Sequence, residues 1–90
     1  MDIPNAVKRN ALDSNLEITM RIGKLGVNES VIEELKQQLL KRKMVKMKLN
    51  KGLVNGSVER SDLLNHISME SNSVLVHSRG NIAVFWYKGN

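Results

Sequence analysis

The sequence predicts an α/β protein of the two-layer α+β kind, with elements in the order αβαβαββ and a mixed four-stranded sheet. Three observations carry this. Segments 16–22 and 44–49 alternate apolar and polar residues with period two, as half-buried strands do. Segments 29–43 and 58–71 place apolar residues at helical spacing. At the end of the chain, two apolar runs flank Ser78-Arg79-Gly80-Asn81, the pattern of a hairpin. Right-handed crossovers then set the helices against the sheet.

Each element has its own justification. A first helix is expected over 5–15. Pro4 suits a first turn, and Val7, Ala11 and Leu12 share a stripe that leaves Lys8 and Arg9 outside it. Asp13, Ser14 and Asn15 break it. In the strand that follows, Leu16, Ile18, Met20 and Ile22 take one face and Glu17, Thr19 and Arg21 the other. Asn28 is a good N-cap for the second helix, whose stripe is Val31, Ile32, Leu35 and Leu39. Its early glutamates and late Lys41, Arg42 and Lys43 match the helix dipole. In the second strand Val45, Met47 and Leu49 alternate with Lys46 and Lys48. Residues 50–56 form a loop with two turn signals, and Ser57 is placed to cap the third helix, with Leu63, Leu64 and Ile67 as its core residues. The closing strands are expected at 74–77 and 82–87. Phe85 and Tyr87 share one face of the last strand and Trp86 takes the other, which leaves both packing and base stacking open for Trp86 and Tyr87.

Length and composition bound the class. Ninety residues suit one domain, 1–90, with room for one core. The apolar share is 41% and the charged share 26%, ordinary for a folded protein. With no cysteine there is no disulfide framework, Cys-based zinc site or thiol nucleophile. No apolar run nears the ~20 residues of a membrane span, and Met1-Asp2-Ile3-Pro4 lacks a signal-peptide layout. The expectation is a complete cytoplasmic protein.

Charge is the first functional signal. The net charge is +5 and the pI about 9.8. Between Lys36 and Lys51 stand seven cations and no carboxylate. Such a block implies a polyanionic partner, most often nucleic acid. The helix dipole accounts for part of it, and Lys46 and Lys48 also suit a solvated or edge-strand face. The bulky apolar face of a membrane-lying helix is missing.

The second signal is Arg21-Ile22-Gly23-Lys24-Leu25-Gly26-Val27-Asn28, between the first strand and the second helix. Two glycines three apart permit a sharp turn and a close approach, Lys24 supplies a cation, and the helix start favours an anion. The plainer alternative is a strand-to-helix turn. Glu29 beside the loop counts against an anion there.

Taken together, these segments resemble a known family, the CRM domain (chloroplast RNA splicing and ribosome maturation) in its stand-alone YhbY-like form. Leu16 to Gly26 resembles the family's strand ending in I-G-K-x-G, and Val31 to Lys48 its next helix and strand. Leu63, Leu64 and Ile67, then Val74-Leu75-Val76 and Gly80, resemble its third helix and hairpin. The resemblance covers about 12–87. It implies a fold similar to the C-terminal domain of bacterial translation initiation factor three. It also implies RNA binding through a KH-like G-x-x-G loop, here Gly23, Lys24, Leu25 and Gly26, and association with precursors of the large ribosomal subunit. Three positions depart from the family pattern: Leu25 replaces a polar residue, Ser78-Arg79 precedes Gly80 where apolar residues are usual, and Trp86-Tyr87-Lys88 replaces a Leu-Tyr-Arg ending.

The sequence carries little else that could do chemistry. His66 and His77 fall on different elements with no metal spacing, the carboxylates show no pairing, and no Walker loop is present. The expectation is therefore a monomeric, non-enzymatic RNA-binding protein without a cofactor or small-molecule substrate. Its partner is expected to be rRNA of a large-subunit precursor. Gly23, Lys24, Leu25 and Gly26 form its contact loop, Arg21, Lys8 and Arg9 extend the surface, and Lys46 and Lys48 add attraction. A basic adaptor that binds an acidic protein, and a nucleotide-binding enzyme using the glycine loop, are the alternatives.

Overall fold

The structure, a computed structural model, describes residues 3–89. Met1 and Asp2, part of the N-terminal pattern read above, and Asn90 lie outside the described residues. The elements are α1 (Asn5–Leu12), β1 (Ile18–Ile22), α2 (Glu29–Arg42), β2 (Met44–Leu49), α3 (Ser57–Glu70), β3 (Val74–Arg79) and β4 (Ile82–Trp86). The predicted order αβαβαββ and the α+β class are both present.

The strands form one sheet in the order β1-β2-β4-β3. β1 and β2 are parallel, and β4 runs antiparallel to both β2 and β3. The crossovers through α2 and α3 therefore bring the carboxyl ends of β1, β2 and β3 to one end of the sheet. That end gathers the glycine loop, the 50–56 loop and the hairpin tip. Backbone hydrogen bonds hold it together: Asn50 N–H donates to Ile22 O at 2.9 Å, and Leu49 N–H to Asn81 O at 2.8 Å.

The main core lies between the sheet and α2 and α3. Met20, Ile22, Val45, Met47, Leu49, Ala83 and Phe85 meet Ile32, Leu35 and Leu39 of α2 and Leu64 and Ile67 of α3. All are buried, which supplies the apolar burial that drives folding. Phe85 fills this core and Tyr87 packs against it. Trp86, on the opposite face, is half-buried beside Val7 and Asn10 of α1.

That opposite face has its own short cover. Ala11 of α1 and Val84 of β4 are buried there, apart from the main cluster. Helix α1 thus adds a third, partial layer to the two formed by the sheet and α2 with α3. It ends at Leu12, three residues before the predicted stop, because Asp13 turns extended. Leu12 itself is exposed, not part of the buried stripe.

Two further expectations are corrected. The even alternation of 16–22 fails at its start. The β1–β2 register shifts between Ile18 and Met20, a bulge that turns Ile18 to the α1 face beside Lys46. Thr19 instead meets α2, where its hydroxyl donates to Gln38 Oε1 at 2.6 Å and Gln38 Nε2 donates to Thr19 O at 3.1 Å. Ser57 is the first residue of α3 rather than its cap. Gly56, at φ +108, takes the cap position, and Glu59 accepts the Asn55 N–H at 2.9 Å.

Candidate nucleic-acid interface

The glycine loop is a tight turn. Gly26 N–H donates to Gly23 O at 3.0 Å, which puts Lys24 and Leu25 at its two corners. The two glycines play different parts. Gly26 sits at φ +78, where a side chain would be strained, and an added Cβ would meet Leu53 Cδ1 at 3.4 Å. Gly23 has no such φ, and nothing lies within 4 Å of its would-be Cβ. Its lack of a side chain leaves open space beside the backbone rather than serving the turn. Lys24 and Leu25 both project into solvent, Leu25 at 95% exposure.

Immediately after the turn, α2 begins. Asn28 Oδ1 accepts the Val31 N–H at 3.0 Å, the predicted cap. The first turn then carries Glu29, and the hollow at this corner is lined by Glu29, Glu33 and Glu70 together with Lys36. Lys36 is 3.6 Å from Glu33. The α2–α3 side of the loop is therefore acidic.

The other side is basic. Arg21 pairs across the ladder with Lys48, and both are exposed. Arg21, Gly23, Lys48, Asn50 and Lys51 line a shallow hollow beside the loop. Among the described residues the one ion pair is Lys36–Glu33, so none of these cations is neutralised by a carboxylate contact.

The predicted site residues thus divide. Arg21, Gly23, Lys24, Leu25, Gly26 and Lys48 come together at the carboxyl end of β1 and β2. Lys46 shares their face but is half-buried, and its Nζ donates to Leu16 O at 3.2 Å. It braces the α1–β1 connection. Lys8 and Arg9 are exposed on α1, a turn ahead of Leu12, and do not line the hollow at the loop. The sequence alone does not single out Lys51 or Arg79: Lys51 is one of seven cations in the basic block, and Arg79 sits in a polar pair that suggests a turn. The strand runs through Arg79, and the turn is only Gly80 and Asn81, with Gly80 at φ +56 in the first central position.

Fold and site together define a class: an α+β protein that offers a glycine turn and an un-neutralised cationic sheet end, chemistry suited to an anionic partner. The chain belongs to the CRS1 / YhbY (CRM) domain family, whose pattern matches residues 7–87. Among solved structures, it is similar to the hypothetical protein SAV1595 from Staphylococcus aureus, a protein proposed there to bind RNA. The two share 25% identity and superpose with a TM-score of 0.75 over 99% of this chain and 92% of the other. No curated protein matches the chain in sequence.

Proposed function

We propose that the protein binds RNA through this cationic end and serves in assembly of the large ribosomal subunit, on rRNA of a precursor particle. One observation carries the reading. In a chain of the CRM family, Lys24, Arg21 and Lys48 stand exposed and unneutralised around an open Gly23. Open space at Gly23 lets a phosphate approach the backbone, Lys24 meets it as a point charge, and Arg21 offers a bidentate fork. The fold shared with a protein proposed to bind RNA supports the reading.

These contacts address backbone and shape, so affinity depends strongly on salt and weakly on sequence. The protein acts here as a binder, not a catalyst. It works as one domain, a monomer in the cytoplasm, and needs no cofactor.

The test is sedimentation of tagged protein in a gradient of native lysate, with and without ribonuclease. The expected result is migration with large-subunit-sized particles, lost on nuclease treatment and in the Gly23→Asp, Lys24→Asp double variant. Nuclease-resistant complexes would point to a protein partner instead and overturn the reading.

A further inference from the structure

We infer that the RNA leaves the glycine loop as a single strand, crosses the α1 face of the sheet along Arg21, Lys48 and Arg79, and lodges one unstacked base in a cleft under α1. This rests on the RNA-binding reading of the loop and adds its path and the form of the ligand.

Charge sets the direction. A strand passing the loop toward α2 and α3 would meet Glu29, Glu33 and Glu70, with Lys36 already held by Glu33. On the other side of the loop, the hollow is lined by Arg21, Lys48 and Lys51 and, among the described residues, by no carboxylate.

Register supplies the track. Arg21 pairs with Lys48, Lys48 with Ile82, and Ile82 with Arg79. These four residues form one row across all four strands, on the face away from the main core. Three inter-strand steps make the row about 14 Å wide. Its cations stand side by side on β1 and β2 and again at the far edge on β3, with apolar Ile82 of β4 between.

Behind this row lies the cleft, about 370 Å³ in volume. The next row of the sheet, Ile18–Lys46–Val84–His77, runs beneath it. Its apolar walls are Leu12, Ile18 and Ile82, and its polar groups are Lys46, His77 and Arg79. Among the described residues no carboxylate lines it. The bulge in β1 is what places Ile18 here. Lys46, tied to Leu16 O, fixes the chain that leads from α1 into β1, so the cleft is preformed.

Apolar walls suit the face of a base, while the His77 imidazole suits its edge and Arg79 the adjoining phosphate. A paired base is held in its stack and cannot enter. The arrangement therefore selects unpaired RNA.

The experiment measures binding of a single-stranded RNA of roughly 12 nucleotides, and of a duplex of the same length, to the full chain. Leu12 is 65% exposed and Leu40, on α2 away from the track, is 58% exposed, so Leu12→Glu and Leu40→Glu make the same charge change without touching the core. Leu12→Glu is expected to weaken single-strand binding roughly tenfold, the scale of one stacked base, and Leu40→Glu less than about twofold. Arg79→Ala is expected to weaken it several-fold and to reduce the log–log salt slope by about 0.7. The wild-type protein is expected to prefer the single strand.

If Leu12→Glu and Arg79→Ala bind as wild type while Gly23→Asp, Lys24→Asp does not, the path is wrong and the loop reading stands. If the loop variant also binds as wild type, both fail. Equal affinity for duplex and single strand would overturn the lodged base.

Discussion

Arg21 and Lys48 stand opposite one another in the parallel β1–β2 ladder, two exposed cations on neighbouring strands. Like charges so placed repel, and the sheet retains them at some loss of stability. Lys48→Thr removes the repulsion and supplies a β-branched residue that suits the pleat. It is expected to stabilise the protein by roughly 0.2–1 kcal/mol while weakening RNA binding several-fold. Urea unfolding at low and high ionic strength checks it, because the gain should shrink as salt screens the pair. A loss of stability at low salt would show that the pair is not strained.

The two glycines of the loop should respond in opposite ways. Gly26→Ala forces a side chain into φ +78 and toward Leu53, and is expected to cost about 1–2 kcal/mol. Gly23→Ala meets neither obstacle. It should be neutral or stabilising by up to about 1 kcal/mol, since it restricts the unfolded chain. Its effect should appear in RNA affinity instead, where a methyl group stands in the way of the backbone. Equal costs at both positions would mean that Gly23, too, serves only the turn.

The fold was largely legible because its signals are local. Period-two alternation in 44–49, the helical stripe Ile32, Leu35 and Leu39, and the cap at Asn28 depend on neighbours within a few residues, and each is where the spacing put it. What was not legible depends on pairing. The bulge that turns Ile18 away from Met20 is a property of two strands in register, and no residue between them marks it. Arg79 read as a turn residue because Ser78 and Arg79 are polar, yet the ladder with β4 extends through both to a two-residue turn. The α1 face follows the same logic. Leu12 fits the apolar period of its helix, but α1 covers only part of the sheet, and Ala11 takes the buried position. For the proposed contact surface, the glycine loop and the lysine block are legible in the sequence, while the difference between Lys46 and Lys48 depends on the hydrogen bond from Lys46 to Leu16 O.

The start of α2 offers a test of local stability separate from binding. Asn28 Oδ1 satisfies the Val31 N–H, one of the donors a helix start leaves without an intrahelical partner. Asn28→Ala is expected to cost about 1 kcal/mol, read as a lower urea midpoint with an unchanged denaturant slope. Because only Val27 and Asn28 separate the glycine turn from α2, the same variant should loosen the loop and raise hydrogen exchange at Gly26 before it changes exchange in β2. Uniform acceleration across the sheet would place the loss in the global equilibrium alone.

Lys46 and Lys48 are two residues apart on one face of β2, and the structure gives them different work. Lys48 is exposed beside Arg21, whereas Lys46 spends its ammonium on Leu16 O. If Arg21, Lys24, Lys48, Lys51 and Arg79 each meet a phosphate, the log–log salt slope for a single strand should be about −3.5. Lys48→Met should bring the slope to about −2.8 without loss of stability. Lys46→Met should leave the slope nearly unchanged and cost roughly 0.5–1.5 kcal/mol, the scale of one hydrogen bond. Affinity measured at several salt concentrations, alongside urea unfolding, separates the two. Equal slope changes would mean that Lys46 releases Leu16 when RNA binds, and that the α1–β1 connection moves with it.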